Sequence, residues 1–290
     1  MKLDGRRESS NVEDRRGMSG GAKIAGIGGI GGIIIALIMM FMGGGDITDV
    51  LQQAGNIAVE QQTQDGQQQF TPEEEELAKF SRQILAGTED VWAKVFRENG
   101  LGEYKNPKMV LYTGSTSTGC GQGQAQMGPF YCSADQTLYI DLSFFTGMRQ
   151  QLGADGDFAY AYVIAHEVGH HVEYLLGSLG EAHNKMSHMD KAEANKVSVR
   201  LELLADFYAG VWAHHDNKLF GSLEDGDLEE AIRCAQVIGD DYLQKKAQGY
   251  DVPESFTHGT SKQRMKWLKL GLDTGDMSRG TTFQQSDATL

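Results

Sequence analysis

The chain has 290 residues, of which 40% are hydrophobic, and its 26 Lys and Arg against 40 Asp and Glu leave a formal net charge of −14. This charge argues against nucleic acid as a partner, because phosphate binding needs a basic face. With 4 Pro and 3 Cys, the sequence is neither a proline-rich linker nor a disulfide-dense mini-protein.

The first predicted element is a transmembrane helix at residues 24–45, a stretch that contains many glycines and no charged side chain. At about 1.5 Å per residue this helix would span roughly 33 Å, enough to cross a hydrocarbon core of about 30 Å. It is longer than the apolar part of a signal peptide. Gly28 and Gly32 form a G-x-x-x-G pair through which two such helices could form a homodimer.

Flanking charges predict the orientation of this helix. Residues 1–23 carry more basic than acidic groups, which predicts a cytoplasmic tail. The remainder of the chain would then lie outside the membrane. The expectation is therefore a single-pass protein of the cell membrane, with an acidic extracytoplasmic domain.

The region after this helix divides into a spacer and a domain. Residues 46–70 hold eight Gln with little apolar periodicity, which predicts a spacer. The domain, residues 71–290, begins where Thr71 suits a helix N-cap and Pro72 the first helical position. Its patterns predict an α+β fold, mostly helical with a small β-sheet. The predicted strands are 109–112, 129–131 and 137–142, and the predicted helices are 72–98 with a break near Gly87, 143–152, 156–177, 190–217, 226–247 and 260–271.

Two cysteines bracket a glycine-rich stretch that ends with the second predicted strand. An oxidising compartment would allow Cys120 and Cys132 to pair across it, and the alternative is two separate buried thiols. Cys234 lies in a helical pattern and is typical of a core residue.

The most informative motif is His166-Glu167-Val168-Gly169-His170, within AYVIAHEVGHHVE. On a helix His166 and His170 are one turn apart, so both imidazoles can bind one Zn²⁺. Glu167 lies about 100° round the helix, where it can act as a general base without binding the metal. The alternative is a pair of core histidines satisfied by ordinary hydrogen bonds.

A catalytic zinc needs a third protein ligand. On the following helix, Glu202 and Asp206 are an i, i+4 pair of acids among apolar residues, which repel each other unless a cation is near. Zinc bound by Glu202, with Asp206 accepting the N–H of a ligand histidine, would remove this cost. In the alternative, Arg200 or a lysine neutralises the pair. Among the other downstream candidates, His171 and Glu173 are poorly placed. His183 and His188 lie in a polar segment expected to be a loop. The remaining candidates are His214 and His215, at a helix end, and His258.

Taken together, HEVGHHVE, RLELLADFYAGVWAHH, GDLEEAIRCAQVIGDDYLQ and SFTHGTSKQRMKWLKLG resemble the bacterial neutral zinc metallopeptidases, whose H-E-x-x-H and E-x-x-x-D arrangement is that of gluzincins. The resemblance implies a zincin-like domain behind a membrane anchor. It also implies one zinc per chain, bound by His166, His170 and Glu202, with Glu167 as catalyst. Phe207 stands where relatives often have cysteine, at a position outside this ligand set.

The predicted activity is hydrolysis of peptide bonds in a peptide or protein substrate. Zinc would lower the pKa of its water, and Glu167 would take the proton and pass it to the leaving amine. His258, Arg264 or Tyr208 could stabilise the transition state, although Thr260 or Ser261 in the same segment could simply cap a helix. Two alternatives stay open: a zinc-binding scaffold with little hydrolysis, and a zinc hydrolase of a non-peptide amide.

Overall fold

A small sheet lies beside a group of long helices in the computed structural model, which describes residues 1–17 and 70–290. The helices are α1 (Pro72–Glu98), α2 (Ser143–Gly147), α3 (Asp157–Leu176), α4 (Ser178–Met186), α5 (Lys191–Phe220), α6 (Asp227–Val237), α7 (Asp240–Gln248) and α8 (Ser261–Thr274). A π-helical turn, Met148–Leu152, continues α2. The predicted α+β fold, mostly helical with a small sheet, is confirmed.

The main sheet has four strands in the order β1-β2-β6-β5. The strands of the chain are β1 (Val12–Asp14), β2 (Lys108–Tyr112), β3 (Ser115–Thr118), β4 (Gly121–Gln124), β5 (Phe130–Cys132) and β6 (Thr137–Asp141). β1, β2 and β6 are parallel, β5 is antiparallel to β6, and β3 and β4 form a separate hairpin. A disulfide between Cys120 and Cys132, with Cα atoms 5.8 Å apart, joins the hairpin to β5 and confirms the predicted pairing.

Capping groups fix the start of α1 as the sequence indicates. The Thr71 side chain accepts from the Glu74 backbone N–H, and the Glu74 carboxylate accepts from the Thr71 backbone N–H. The predicted break near Gly87 is wrong, since α1 runs unbroken to Glu98. A Cβ at Gly87 would lie 2.9 Å from the guanidinium of Arg6, so this glycine makes room for a neighbouring side chain.

Glycines also allow the three central helices to approach closely. A Cβ at Gly169 of α3 would lie 2.8 Å from the Ala205 carbonyl oxygen of α5. A Cβ at Gly271 of α8 would lie 2.1 Å from the Phe207 carbonyl oxygen of α5. Since any side chain there would push the backbones apart, these glycines hold the motif helix α3 against α5, and α5 against α8.

Two parts of the helical region differ from the prediction. The single helix expected at 226–247 is divided into α6 and α7, because the backbone at Gly239 packs against Ser261, whose nitrogen would lie 2.3 Å from a Cβ there. The polar segment expected to be a loop contains α4, which buries Leu179 and Ala182 one turn apart. His183 therefore lies on a helix.

The first residues of the chain are part of the same folded unit. The Met1 ammonium is buried and contacts Asp157 at 2.5 Å and Asp227 at 3.3 Å. Arg6 pairs with the buried Asp216 at 2.9 Å. β1 then adds to the edge of the sheet beside β2. The segment therefore packs on the elements that form the domain.

The predicted membrane topology is wrong. β1, from residues 1–17, pairs with β2, from residues 70–290, in one sheet, so the two ranges cannot lie on opposite sides of a membrane as the single-pass localisation required. Within these two ranges, none of the helices combines the length and the apolar character needed to cross a bilayer. The expected fold of a transmembrane helix followed by a domain is corrected accordingly. The predicted helix 24–45, its G-x-x-x-G pair and the spacer up to residue 69 lie outside the described residues.

Candidate metal centre

The two histidines of the motif lie on one face of α3, with ring centroids 4.8 Å apart. α5, held close by Gly169, brings Glu202 to the same point. The Nε2 atom of His166 is 3.2 Å from one Glu202 oxygen, and that of His170 is 3.5 Å from the other. Ligand atoms of all three residues lie within 4.8 Å of one another. The structure therefore brings together the three predicted ligands.

The outer nitrogen of His166 is fixed by Asp206, as expected from the sequence. Nδ1 of His166 is 2.8 Å from an oxygen of Asp206, which is fully buried and also accepts from the Tyr162 hydroxyl at 2.6 Å. Arg264 donates to both Asp206 oxygens at 2.9 Å. Burial by itself would raise the pKa of Asp206, but Arg264 and His166 hold this pKa at about 2.

The outer nitrogen of His170 is fixed by Glu173, a residue that the sequence predicts to be poorly placed for the site. Nδ1 of His170 lies 2.8 Å from one Glu173 oxygen, and Glu173 is fully buried. Burial raises the pKa of Glu173 to about 7, despite the opposing effect of His170. Its other oxygen has no hydrogen-bond partner among the described residues. The i, i+3 spacing of His170 and Glu173 is the signal that could have found it.

This donor set fits a zinc ion. Because an ionised carboxylate only accepts, Nδ1 of each ring donates to its carboxylate, so the lone pair of Nε2 becomes available beside Glu202 once that nitrogen gives up its proton. Burial would raise the pKa of Glu202, but the imidazoles of His258 and His170 keep it well below its usual range. Two imidazoles and one ionised carboxylate around one point are the ligands of a catalytic zinc.

Glu167 lies beside this group without belonging to it. It is 7% exposed and faces the same cavity, of about 370 Å³, as His166 and His170. Burial raises the pKa of Glu167 above its ordinary value. A carboxylate at this position can both accept and return a proton.

The three predicted transition-state stabilisers have different surroundings. His258 faces the cavity, and its Nδ1 is 3.3 Å from an oxygen of Asp240. Arg264 reaches the cavity but is ion-paired with Asp206. Tyr208 is outside the cavity lining, and its ring packs edge-on against Trp92. The structure thus brings His258 and Arg264, but not Tyr208, to the candidate site.

The remaining candidates are occupied elsewhere or lie apart from the ligand group. Nε2 of His171 is 2.7 Å from the Lys105 carbonyl oxygen, and its Nδ1 is 2.8 Å from the Tyr131 hydroxyl. His183 faces the cavity, whereas His188, His214 and His215 hydrogen bond to backbone carbonyls. Arg200 pairs with Asp287, so it does not neutralise Glu202 and Asp206. Thr260 caps α8, as the alternative for that segment proposed.

Comparison with protein families agrees with this geometry. The model of the family described as "Putative neutral zinc metallopeptidase" matches residues 1–283. The chain belongs to this family. Membership of this metallopeptidase family confirms the resemblance seen in the sequence. The match to the family model also includes the first residues of the chain, which contain β1.

Two curated proteins are similar to most of the chain. "Uncharacterized protein YpfJ" of Escherichia coli K12 is 50% identical over 99% of this chain and 100% of its own length. "Uncharacterized protein Rv2575" of Mycobacterium tuberculosis H37Rv is 41% identical over 64% of this chain and 66% of its own length. No solved structure matches the chain.

Proposed function

We propose that this protein is a zinc-dependent peptidase that hydrolyses peptide bonds. The observation that carries the proposal is the convergence of His166, His170 and Glu202 in a cavity that also contains Glu167. Such an arrangement pairs a metal site with an acid placed to move protons. Membership of the metallopeptidase family supports the same activity.

The residues have separate roles in the proposed reaction. When bound, zinc supplies Lewis-acid chemistry, lowering the pKa of water and polarising a carbonyl group. Glu167 takes a proton from the attacking water and returns it to the leaving nitrogen. Asp206 and Glu173 hold the two rings by their Nδ1 atoms, which would leave both Nε2 atoms available to bind the metal.

The substrate backbone is proposed to bind at β5. Within the described sheet β5 is an edge strand, paired on one side with β6. Two of its residues, Phe130 and Tyr131, line the cavity. An extended peptide can add to such an edge through main-chain hydrogen bonds. His258, which faces the cavity near Glu202, is the proposed donor to the developing oxyanion.

The test is zinc content and peptide cleavage of the full chain with Glu167→Gln. We expect the variant to keep its zinc, because Glu167 is not a ligand, and to lose activity by about 10²–10⁴-fold. Glu181→Gln, an exposed glutamate on α4, is the matched control and should leave both unchanged. Full activity of Glu167→Gln would contradict the proposal. A zinc-loaded wild type that cleaves no peptide in a diverse library would instead favour a binding module.

A further inference from the structure

Much of the lining of the cavity beside the candidate metal centre is apolar. Five side chains, each less than 10% exposed, form what we call the apolar floor: Phe144, Met148, Leu152, Val163 and Leu243. They come from α2, its π-helical turn, α3 and α7 and belong to the main hydrophobic core. The floor is therefore a rigid part of the fold.

The apolar floor lies close to the reacting groups. Val163 precedes His166 by three residues and Glu167 by four on α3, so it lies one helical turn away, about 5.4 Å along the axis. An extended peptide advances about 3.3 Å per residue. A carbonyl at the metal centre therefore places the side chain of an adjacent residue within reach of the floor.

A second apolar patch lines the same cavity. Leu179 and Leu201 belong to a separate hydrophobic cluster, with Met186 packed against it, and all three face the cavity. Leu201 directly precedes the ligand Glu202 on α5. Two separate clusters thus offer apolar surface to a chain lying across the site.

Charged groups for the end of a peptide are absent from the described lining. The only Arg or Lys there is Arg264, which is 4% exposed and donates to both oxygens of Asp206. The only acids there are Glu167 and Glu202, which belong to the reacting group and the ligand set. Two further histidines line the cavity: burial lowers the pKa of His183, and Nδ1 of His258 lies 3.3 Å from an oxygen of Asp240. A terminal carboxylate or ammonium would therefore meet groups that are neutral, already paired or part of the reacting group, which makes its entry costly.

We propose that the substrates are internal peptide bonds flanked by a bulky apolar residue whose side chain binds on the apolar floor. This inference rests on the proposed peptidase function and specifies its substrate class. A Leu or Phe side chain gains by leaving water, whereas a Glu or Lys side chain loses its hydration without finding a partner.

The first test uses peptide hydroxamates, which bind a zinc ion without being cleaved. Blocked hydroxamates that differ only in carrying a Leu, Glu or Lys side chain are titrated into the zinc-loaded full chain by calorimetry. The Leu compound should bind at least about tenfold more tightly than the other two, since an apolar pocket discriminates by about 10–200-fold. Equal binding of the three compounds would overturn the proposal.

Substitutions in the apolar floor test whether the floor is the part of the cavity that binds the Leu side chain. Leu243→Lys should lower the affinity for the Leu compound and raise that for the Glu compound, while Leu219→Lys, an exposed leucine outside the cavity, should change neither. Met148→Ala enlarges the floor without adding charge, and it should shift the preference from Leu towards Trp. Met148→Ala keeps the test decisive if Leu243→Lys does not fold. If Met148→Ala still prefers the Leu compound to the Trp compound as the wild type does, the apolar floor is not the subsite.

Peptide cleavage separates this proposal from the proposed function. A Leu-containing peptide with acetylated and amidated ends should be cleaved as fast as the same peptide with free ends. A requirement for a free end, or faster cleavage beside Glu or Lys, would overturn the substrate class and leave the peptidase function standing. Selective binding of the Leu hydroxamate without cleavage of any peptide would support the subsite and contradict the peptidase function.

Discussion

In each of two clusters in the described part of the chain, three side chains of types that can bind a metal ion lie close together. The two clusters differ in what balances their charge. In the metal centre, His166, His170 and Glu202 converge on one point. The second, which we call the amino-terminal cluster, consists of Asp157, Asp227 and Glu230. There the Met1 ammonium bonds to Asp157 and Asp227 and supplies the positive charge.

This difference shows that proximity of acids does not define a metal site. Asp157 and Asp227 are the first residues of α3 and α6, where the helix dipole also favours a negative charge. The amino-terminal cluster is thus satisfied by the protein itself. In the candidate metal centre the outer ring nitrogens are held by carboxylates and the inner ones face Glu202, which is the arrangement expected of residues that share a cation.

The strongest test of this comparison is zinc affinity after removing one acid from each cluster. Glu202→Ala should weaken zinc binding by more than about 100-fold, because loss of a ligand exceeds the cost of losing an outer carboxylate. Asp227→Ala should leave zinc binding unchanged. Competition with a chromophoric chelator measures both. Zinc binding that survives Glu202→Ala would remove this residue from the ligand set.

The two carboxylates behind the histidines should differ in their effect on stability. Asp206→Ala and Glu173→Ala should each weaken zinc binding by about 10–100-fold. Only Asp206→Ala leaves a buried guanidinium, that of Arg264, without its partner, so it should lower the free energy of unfolding of the metal-free protein by about 3–5 kcal/mol. Urea unfolding checks this, and equal losses in the two variants would contradict the asymmetry.

Zinc binding should depend on pH through His166. Burial by itself would lower the pKa of this ring, but Asp206 and Glu202 raise it to about 9 in the metal-free protein. Protonation of His166 therefore stabilises the metal-free fold fully below pH about 6.5, and this contribution is lost as the pH rises through about 9. The pKa of His170 is raised as well, and zinc must displace the protons of both rings. Zinc affinity should therefore rise by at least about tenfold per pH unit up to about pH 9.

Calorimetry in two buffers with different ionisation enthalpies measures the protons released on zinc binding. Asp206→Asn removes a group that raises this pKa, and it should move proton release to lower pH. Zinc binding without proton release at neutral pH would contradict the expectation.

The smallest expected effect belongs to the amino-terminal cluster. Asp227→Asn removes a buried charge that accepts from the Met1 ammonium, and it should lower the free energy of unfolding by about 1–3 kcal/mol without affecting zinc. The exposed Asp225→Asn is the control. Both are measured by urea unfolding.

The contact between Asp227 and the Met1 ammonium stabilises the fold only while the ammonium is charged, so its contribution to the free energy of unfolding depends on pH. Burial alone would lower the pKa of the Met1 ammonium, but Asp157 and Asp227 raise it above its ordinary value of 8.0. The contribution is therefore complete below pH 8.0 and lost as the pH rises through the raised pKa. A difference between wild type and Asp227→Asn that persists unchanged at high pH would show that the ammonium is not its cause.

Local signals made much of the fold and site predictable. The capping pair at Thr71 and Glu74 depends on residues three apart, and so does the shared face of His166 and His170. Glu202 and Asp206 could be found because two acids four apart in an apolar helix need a cation. That Glu202, His166 and His170 bind zinc stays a prediction until the metal is measured.

Other features depend on contacts between distant residues and left no local signal. The break between α6 and α7 comes from the approach of Ser261 to Gly239, and the role of Gly87 comes from Arg6. The predicted membrane topology was wrong because charge counts and apolar length are local, whereas pairing of β1 with β2 joins residues about a hundred positions apart.

The sequence by itself determined the helical character of the domain, the spacing of the zinc motif and the close cysteine pair, since each depends on the periodicity or proximity of neighbouring residues. Only the tertiary structure decided that Glu173 orients His170, that Arg264 is neutralised by Asp206, and that the amino terminus completes the fold. These outcomes depend on which buried charge finds which partner. Burial makes an unpaired charge costly, and the partner is selected by packing across the whole chain.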